Sequence, residues 1–288
     1  MEAANKTSTL ASCLQVFRLS FRRQFFTRQT IVMVLLLGLA VLITFLGTWR
    51  ETLNTPAELA SKILSPLYMG FLLPIICLGY ASAAISGERS EQTLVYLLTT
   101  NIPRPLVYLS KYAAALLLTL GMTLGGLSVL CLVPGKIGLE ALGVFWTVTT
   151  CATVAYVGLF LLFSAGVRRA TFLALAYALM IETLTVNIPG VVNRITVSFY
   201  AKSWLYETGK PFDLAPEGDA LGLFNPVSAA SAQWVLALAS VSFLALGMWV
   251  FSRKEYDCAA APECRAHAAS VRPAALPLAA TPLRPALG

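Results

Sequence analysis

At 288 residues the chain is 57% hydrophobic and 12% charged, with a mean hydropathy of +0.73, which is far more apolar surface than one soluble core could bury. The net charge of +7 asks for no nucleic acid, because no basic patch is interleaved with aromatic residues, and inner-loop Lys and Arg facing anionic headgroups account for it. Composition therefore indicates an integral membrane protein.

Taken in chain order, the first feature lies ahead of any long apolar run. Leu10, Leu14, Phe17, Phe21 and Phe25 recur at helical spacing, while Gln15, Arg18, Arg22 and Gln24 point elsewhere. This predicts a basic amphipathic helix within a cytoplasmic N-terminus of residues 1–29. It would lie in the inner membrane interface, aromatics in the acyl boundary and arginines toward phosphates, or serve only as an anchoring flank of the first span.

Six stretches then reach the roughly 20 apolar residues that a bilayer crossing needs. They are Thr30–Trp49, Pro66–Ile85, Tyr112–Val133, Ala141–Val167, Ala170–Pro189 and Val227–Phe251, within a six-helix membrane domain over residues 30–252. Each is too long and too uniformly apolar for an alternating barrel strand, so the expected fold is all-α. The first lacks a small-x-small exit and is expected to be retained rather than cleaved.

Between the second and third spans lies "ISGERSEQTLVYLLTTNIPRP", part of a segment over residues 86–111. Leu94, Leu97 and Leu98 fall on one face of a short helix that is acidic at its start, where the helix dipole favours Glu88 and Glu91. Pro103 and Pro105 end it, because a residue before proline avoids the helical region. A helix with such a ridge suits a groove in a soluble partner, or packing on the inner face of the membrane.

The turn Gly166-Val167-Arg168-Arg169 is short enough to force spans four and five into a tight hairpin. In span five Glu182 sits past the bilayer midpoint, about 18 Å of helix from Ala170. A carboxylate there should face protein or a water-filled cavity. It is either a polar group on a pathway or subunit interface, or a hydrogen bond that staples two helices, for instance to Thr183, Thr185 or a neighbouring span's Ser or Thr.

The outer loop over residues 190–226 carries Tyr200, Trp204, Leu205 and Tyr206. They form an aromatic belt at headgroup level, or a short helix or re-entrant segment over an outer mouth. The tail, residues 253–288, is rich in Ala, Pro and Arg without apolar period and is predicted to be disordered.

With the N-terminus inside, inner segments hold fifteen of the 21 Lys and Arg, which favours both termini in the cytoplasm. Of the six cysteines, Cys77, Cys131 and Cys151 fall inside spans and Cys13, Cys258 and Cys264 on the inner side, so no outer disulfide framework is expected. Cys258, Cys264 and His267 are too few and too loosely spaced for a structural zinc site, and no metal is expected.

Enzymatic readings find little support. His267 is the only histidine and lies in the tail, no pair of acids lies within the spans, and "GKIG" at Gly135 lacks the strand-to-helix setting of a P-loop. The chain is expected to hold no cofactor of its own.

The run "GERSEQTLVYLLTTNIPRPLVYLSKYAAALLL" resembles the signature region of ABC-2 type transporter permeases, the membrane-spanning subunits of ATP-binding-cassette exporters. Glu88, Glu91, Thr93, Leu94, Leu97, Leu98, Pro103, Arg104 and Lys111 follow that family's order of residues. The departures are Gln92, where a Gly is frequent, and Arg104-Pro105 after Pro103. Six spans, cytoplasmic termini, an interfacial N-terminal helix and a long connection between spans five and six are similar to that family as well.

The resemblance implies a non-catalytic permease subunit of an exporter in a bacterial plasma (inner) membrane. It would pair with a second copy of itself or a paralogous permease, and with two copies of an ATP-binding-cassette ATPase that uses ATP and Mg. It further implies that Glu88, Glu91, Leu94, Leu97 and Leu98, with Thr93, Pro103 and Arg104, form the ATPase contact, and that its movement tilts the spans between inward-open and outward-open states. Other readings are a scaffold that anchors an ATPase and a stand-alone channel or secondary carrier. A carrier would be expected to hold a second ionisable group in the spans and inverted repeats.

Overall fold

The computed structural model of the chain describes residues 15, 17–25, 27–50, 53, 55–87, 104–167, 170–178, 196–210 and 227–253. The expected tail, residues 253–288, lies outside the described residues beyond Arg253.

All regular structure among the described residues is helical. Helix α1 is Arg28–Trp49, α2 is residues 56–87, α3 is Arg104–Leu132, α4 is Lys136–Gly166, α5 is Ala170–Ala176, α6 is Val197–Thr208 and α7 is Ala229–Arg253. Of these, α1, α2, α3, α4 and α7 are long and apolar enough to cross a membrane. The fifth expected span is described only over its first residues, as α5, and Glu182 lies outside the described residues.

Four expected boundaries shift, for identifiable reasons. Helix α2 starts at Pro56 rather than Pro66, because Thr55 and Glu58 form a capping box and Pro56 supplies a preset first helical residue. The two bonds are 3.2 Å (Glu58 N–H to Thr55 Oγ1) and 3.3 Å (Thr55 N–H to Glu58 Oε2). Lys62, expected in a loop, is therefore helical and pairs with Glu58 at 3.4 Å.

Helix α3 starts at Arg104 rather than Tyr112, with Pro105 in its first turn, so Lys111 lies two turns inside the helix instead of opening it. Helix α4 starts at Lys136 rather than Ala141, since Gly135, at φ +70, turns the chain back after only three residues. Helix α7 runs to Arg253, whose guanidinium lies 4.5 Å from the Trp249 ring centre.

Two prolines shape α2. A proline ring clashes with the carbonyl four residues back, and a wider turn relieves the clash. Residues Ala60–Leu72 are π-helical with Pro66 inside them, and Pro74 stands at the return to α geometry, Leu73–Ser82. A second π turn, Ala83–Gly87, closes the helix.

The crossing helices alternate in direction. One end of the bundle holds the starts of α1 and α3 and the ends of α2, α4 and α7; Tyr108 of α3 meets Phe251 of α7 there, ring centres 5.6 Å apart. The opposite end holds the three-residue turn, the starts of α2 and α7, and α6. Helix α4 is the hub, packed on α2, α3, α5, α6 and α7, and α1 stands at the periphery against α2 and α3. In the most apolar stretches of α2 and α4, 72% of residues are buried within the chain, against 22% in α1 and 17% in α7. Helices α1 and α7 thus keep most of their apolar side chains exposed on the surface of the described bundle.

Helix α4 ends at Gly166 and α5 begins at Ala170, and Tyr177 packs edge-on against Phe160 and Phe163 of α4. The two helices fold back on each other as a tight hairpin.

Candidate functional site

Of the residues expected to contact a partner, Glu88, Glu91, Thr93, Leu94, Leu97, Leu98 and Pro103 lie outside the described residues. Arg104 is the first residue of α3. What the structure describes is the frame from which residues 88–103 emerge: the last turns of α2, the first turns of α3 and the ends of α4 and α7.

That frame is held by side chains that reach backbone carbonyls. The last four carbonyls of a helix have no intrahelical donor, and a change from α to π bonding frees others at the junction. Ser164 of α4 donates its hydroxyl to the carbonyl of Ser82, at that junction, over 3.2 Å. Lys111 of α3 donates its Nζ to the carbonyl of Ala84, among the last four, over 3.4 Å. Both side chains are fully buried at 0% exposure. A cation is favoured at a helix C-terminus, where the aligned peptide dipoles leave negative partial charge.

One turn before Lys111, Tyr108 is also fully buried, and its ring lies over Gly247 of α7. Only a glycine admits a ring at that approach.

A second polar feature runs through the interior. The Tyr68 hydroxyl of α2 donates to the carbonyl of Thr123 in α3, and the Thr123 hydroxyl lies 3.4 Å from that of Thr153 in α4. Thr119, Thr123 and Thr153 are buried, and each also donates to the carbonyl four residues back, at 2.6, 2.9 and 2.7 Å. Thr149 is buried one turn from Thr153, and its hydroxyl has no hydrogen-bond partner among the described residues. These hydroxyls tie three helices together where lipid could not satisfy them.

At the opposite end, the stretch read as a loop contains α6, capped by Thr196, whose Oγ1 accepts from the Phe199 N–H at 3.3 Å. Val197, Phe199, Trp204 and Leu205 are buried against α4 and α7. The aromatic-belt reading therefore fails for Trp204 and Leu205, which pack on protein. Glu207 accepts from the backbone N–H of Ala229, the first residue of α7, and so ties α6 to the start of the last span.

Ahead of α1, residues 17–25 are helical. Phe17, Phe21 and Phe25 form a ladder with ring centres 6.1 and 6.4 Å apart, and Arg18 and Arg22 are exposed. The edge turned toward protein carries Ser20 and Gln24, both buried. The Gln24 carbonyl accepts from the Thr30 hydroxyl at 3.0 Å, which links this helix to the start of α1.

Sequence reasoning had no cue for Tyr68, Tyr108 or Ser164, which read as ordinary members of apolar runs. Lys111 carried one: it is the sole cation between Arg104 and Lys136 in an otherwise apolar run.

A family model described as "ABC-2 family transporter protein" matches residues 19–190, more than half of the chain. The matched stretch extends from the Phe ladder past α5 and includes residues 88–103. No curated protein matches the chain.

Proposed function

The chain belongs to the ABC-2 family of transporter proteins, and on that premise we propose that it is the permease subunit of an ATP-driven exporter, powered by a separate ATP-binding-cassette ATPase. As a multi-pass membrane protein of that family it supplies the path across the bilayer. Two ATPase subunits, with their ATP and Mg, supply the energy, and the chain does no bond chemistry itself. It works as a dimer, with itself or a paralogous permease, in the bacterial inner membrane.

The observation that carries this reading is the family match across the Glu88–Lys111 motif, together with where that motif enters the fold. Residues 88–103 leave α2 and enter α3 at the end where Lys111 and Ser164 grip the closing π turn. A push on this segment is passed directly to two crossing helices. In the proposal Glu88, Glu91, Thr93, Leu94, Leu97, Leu98, Pro103 and Arg104 form the ATPase contact on the cytoplasmic side, and both termini share that side. ATP-driven closure of the ATPases then shifts the bundle between inward-open and outward-open arrangements.

Glu182 is assigned to the pathway or to an interhelix staple in span five, and the Phe17–Phe25 ladder with Arg18 and Arg22 to the inner interface. The test is copurification of the ATP-binding subunit with the chain carrying Glu91→Ala and Leu97→Ala. The expected result is loss of the complex and of stimulated ATP turnover. Retention of both would show that this segment is not the contact.

A further inference from the structure

Lys111 is the one long cationic side chain among the described residues that is wholly buried in the bundle. It is not among the residues assigned to the ATPase contact, Glu88 to Arg104, and a structural lysine in an apolar helix is costly enough to call for a reason. Its position supplies one. It lies two turns into α3, just after residues 88–103, and its ammonium reaches back across the helix gap to the carbonyl of Ala84, in the π turn just before those residues. It therefore joins the two ends of one segment. Ser164 holds the preceding carbonyl junction at Ser82 from the other side, on α4.

A π turn differs from an α turn by a shift of one residue in hydrogen-bond register, so the two interconvert with little change in bond count. What selects the register is whichever external donors meet the freed carbonyls. Lys111 is such a donor to Ala84 within Ala83–Gly87, and Ser164 to Ser82, the residue at which the turn begins to depart from α geometry. Released from them, the turn can rewind, and the point at which the chain leaves α2 rotates by about 100° for each residue of shift.

We propose that Lys111 is a positioning residue: with Ser164 it clamps the closing π turn of α2 and so fixes the entry and exit of residues 88–103 as one rigid unit. The inference rests on the proposed role of that segment in receiving force from the ATPase. Its structural half stands on the clamp alone. Tight clamping makes a displacement of the segment move α2 and α3 together, whereas a loose turn absorbs it.

The test uses the full chain in nanodiscs, alone and with its ATP-binding subunit, and compares Lys111→Met, Lys111→Arg and Ser164→Ala with the unaltered protein. Amide hydrogen exchange over residues 83–87 in the chain alone should speed up about tenfold in Lys111→Met and by less in Ser164→Ala, and return in Lys111→Arg. ATP turnover stimulated by the chain should fall about tenfold in Lys111→Met and recover in Lys111→Arg, the charge-conserving change. Unchanged exchange in both Lys111→Met and Ser164→Ala would overturn the clamp. Faster exchange with undiminished stimulation would overturn the positioning role. If the unaltered chain stimulated no ATPase at all, the proposed function would fail instead, and the exchange measurements would still decide the clamp. Should Lys111→Met not fold, Ser164→Ala carries both readouts.

Discussion

Tyr68 is wholly buried on α2, and its hydroxyl is the donor that ties α2 to the Thr123 carbonyl of α3. Removing it by Tyr68→Phe keeps the ring and deletes one interhelix bond. Such bonds contribute about 0.6 to 2 kcal/mol within a bilayer, so stability should fall by roughly 1 kcal/mol in a steric-trapping or denaturant titration. A loss of several kcal/mol would mean that the hydroxyl organises the whole Thr119–Thr123–Thr153 stripe. Gly247 makes the opposite kind of case. A Cβ there would collide with the ring of Tyr108, which is fully buried and has nowhere to swing. Gly247→Ala should cost about 1 to 3 kcal/mol, with part recovered in the Gly247→Ala, Tyr108→Ala pair, measured by the same unfolding titration. Neither interaction is legible in the sequence, because a tyrosine in an apolar run gives no sign of which helix its hydroxyl meets.

At the scale of elements, α6 is where local pattern and tertiary packing disagree. Tyr200, Trp204, Leu205 and Tyr206 suit an interfacial belt, yet Trp204 and Leu205 are taken up by α4 and α7. Leu205→Ala should therefore cost about 2 to 5 kcal/mol and raise hydrogen exchange across Val197–Thr208, whereas a residue merely resting at the headgroups would cost little. Other elements were legible. The long apolar runs marked four of the five described crossing helices to within eight residues at each end, and missed ten residues of α2. Those ten residues open with Thr55-Pro56-Ala57-Glu58, a capping box with proline at the first helical position, which a count of apolar residues does not register. The π stretch of α2 has no such cue beyond Pro66 and Pro74.

For the molecule as a whole, the charge asymmetry of the sequence predicts which end faces the cytoplasm, and the bundle places testable markers at both. Val167 is exposed beside Arg168 and Arg169, and Lys136 is exposed at the far end of α4. In a background without native cysteines, Val167→Cys should react with an impermeant maleimide only after cells are opened, and Lys136→Cys should react in intact cells. The reverse pattern would invert the topology. The membrane class, the helical fold and the α4–α5 hairpin could all be read from the sequence, because hydrophobic length and a pair of arginines at a short turn are local signals. Which helices are central could not: α1 and α4 both read as spans, and only packing makes one peripheral and the other the hub. One further consequence belongs to the turn between α3 and α4. It spans only Val133, Pro134 and Gly135, and just beyond it Gly138 lies against the Cys131 carbonyl so closely that no side chain fits. Two long rods joined in this way behave as the arms of a pair of tweezers. They cannot part at the joined tips, so any splaying of α3 from α4 must grow toward the end where Arg104 begins and Gly166 stops, and a small angle there becomes the largest displacement in the bundle.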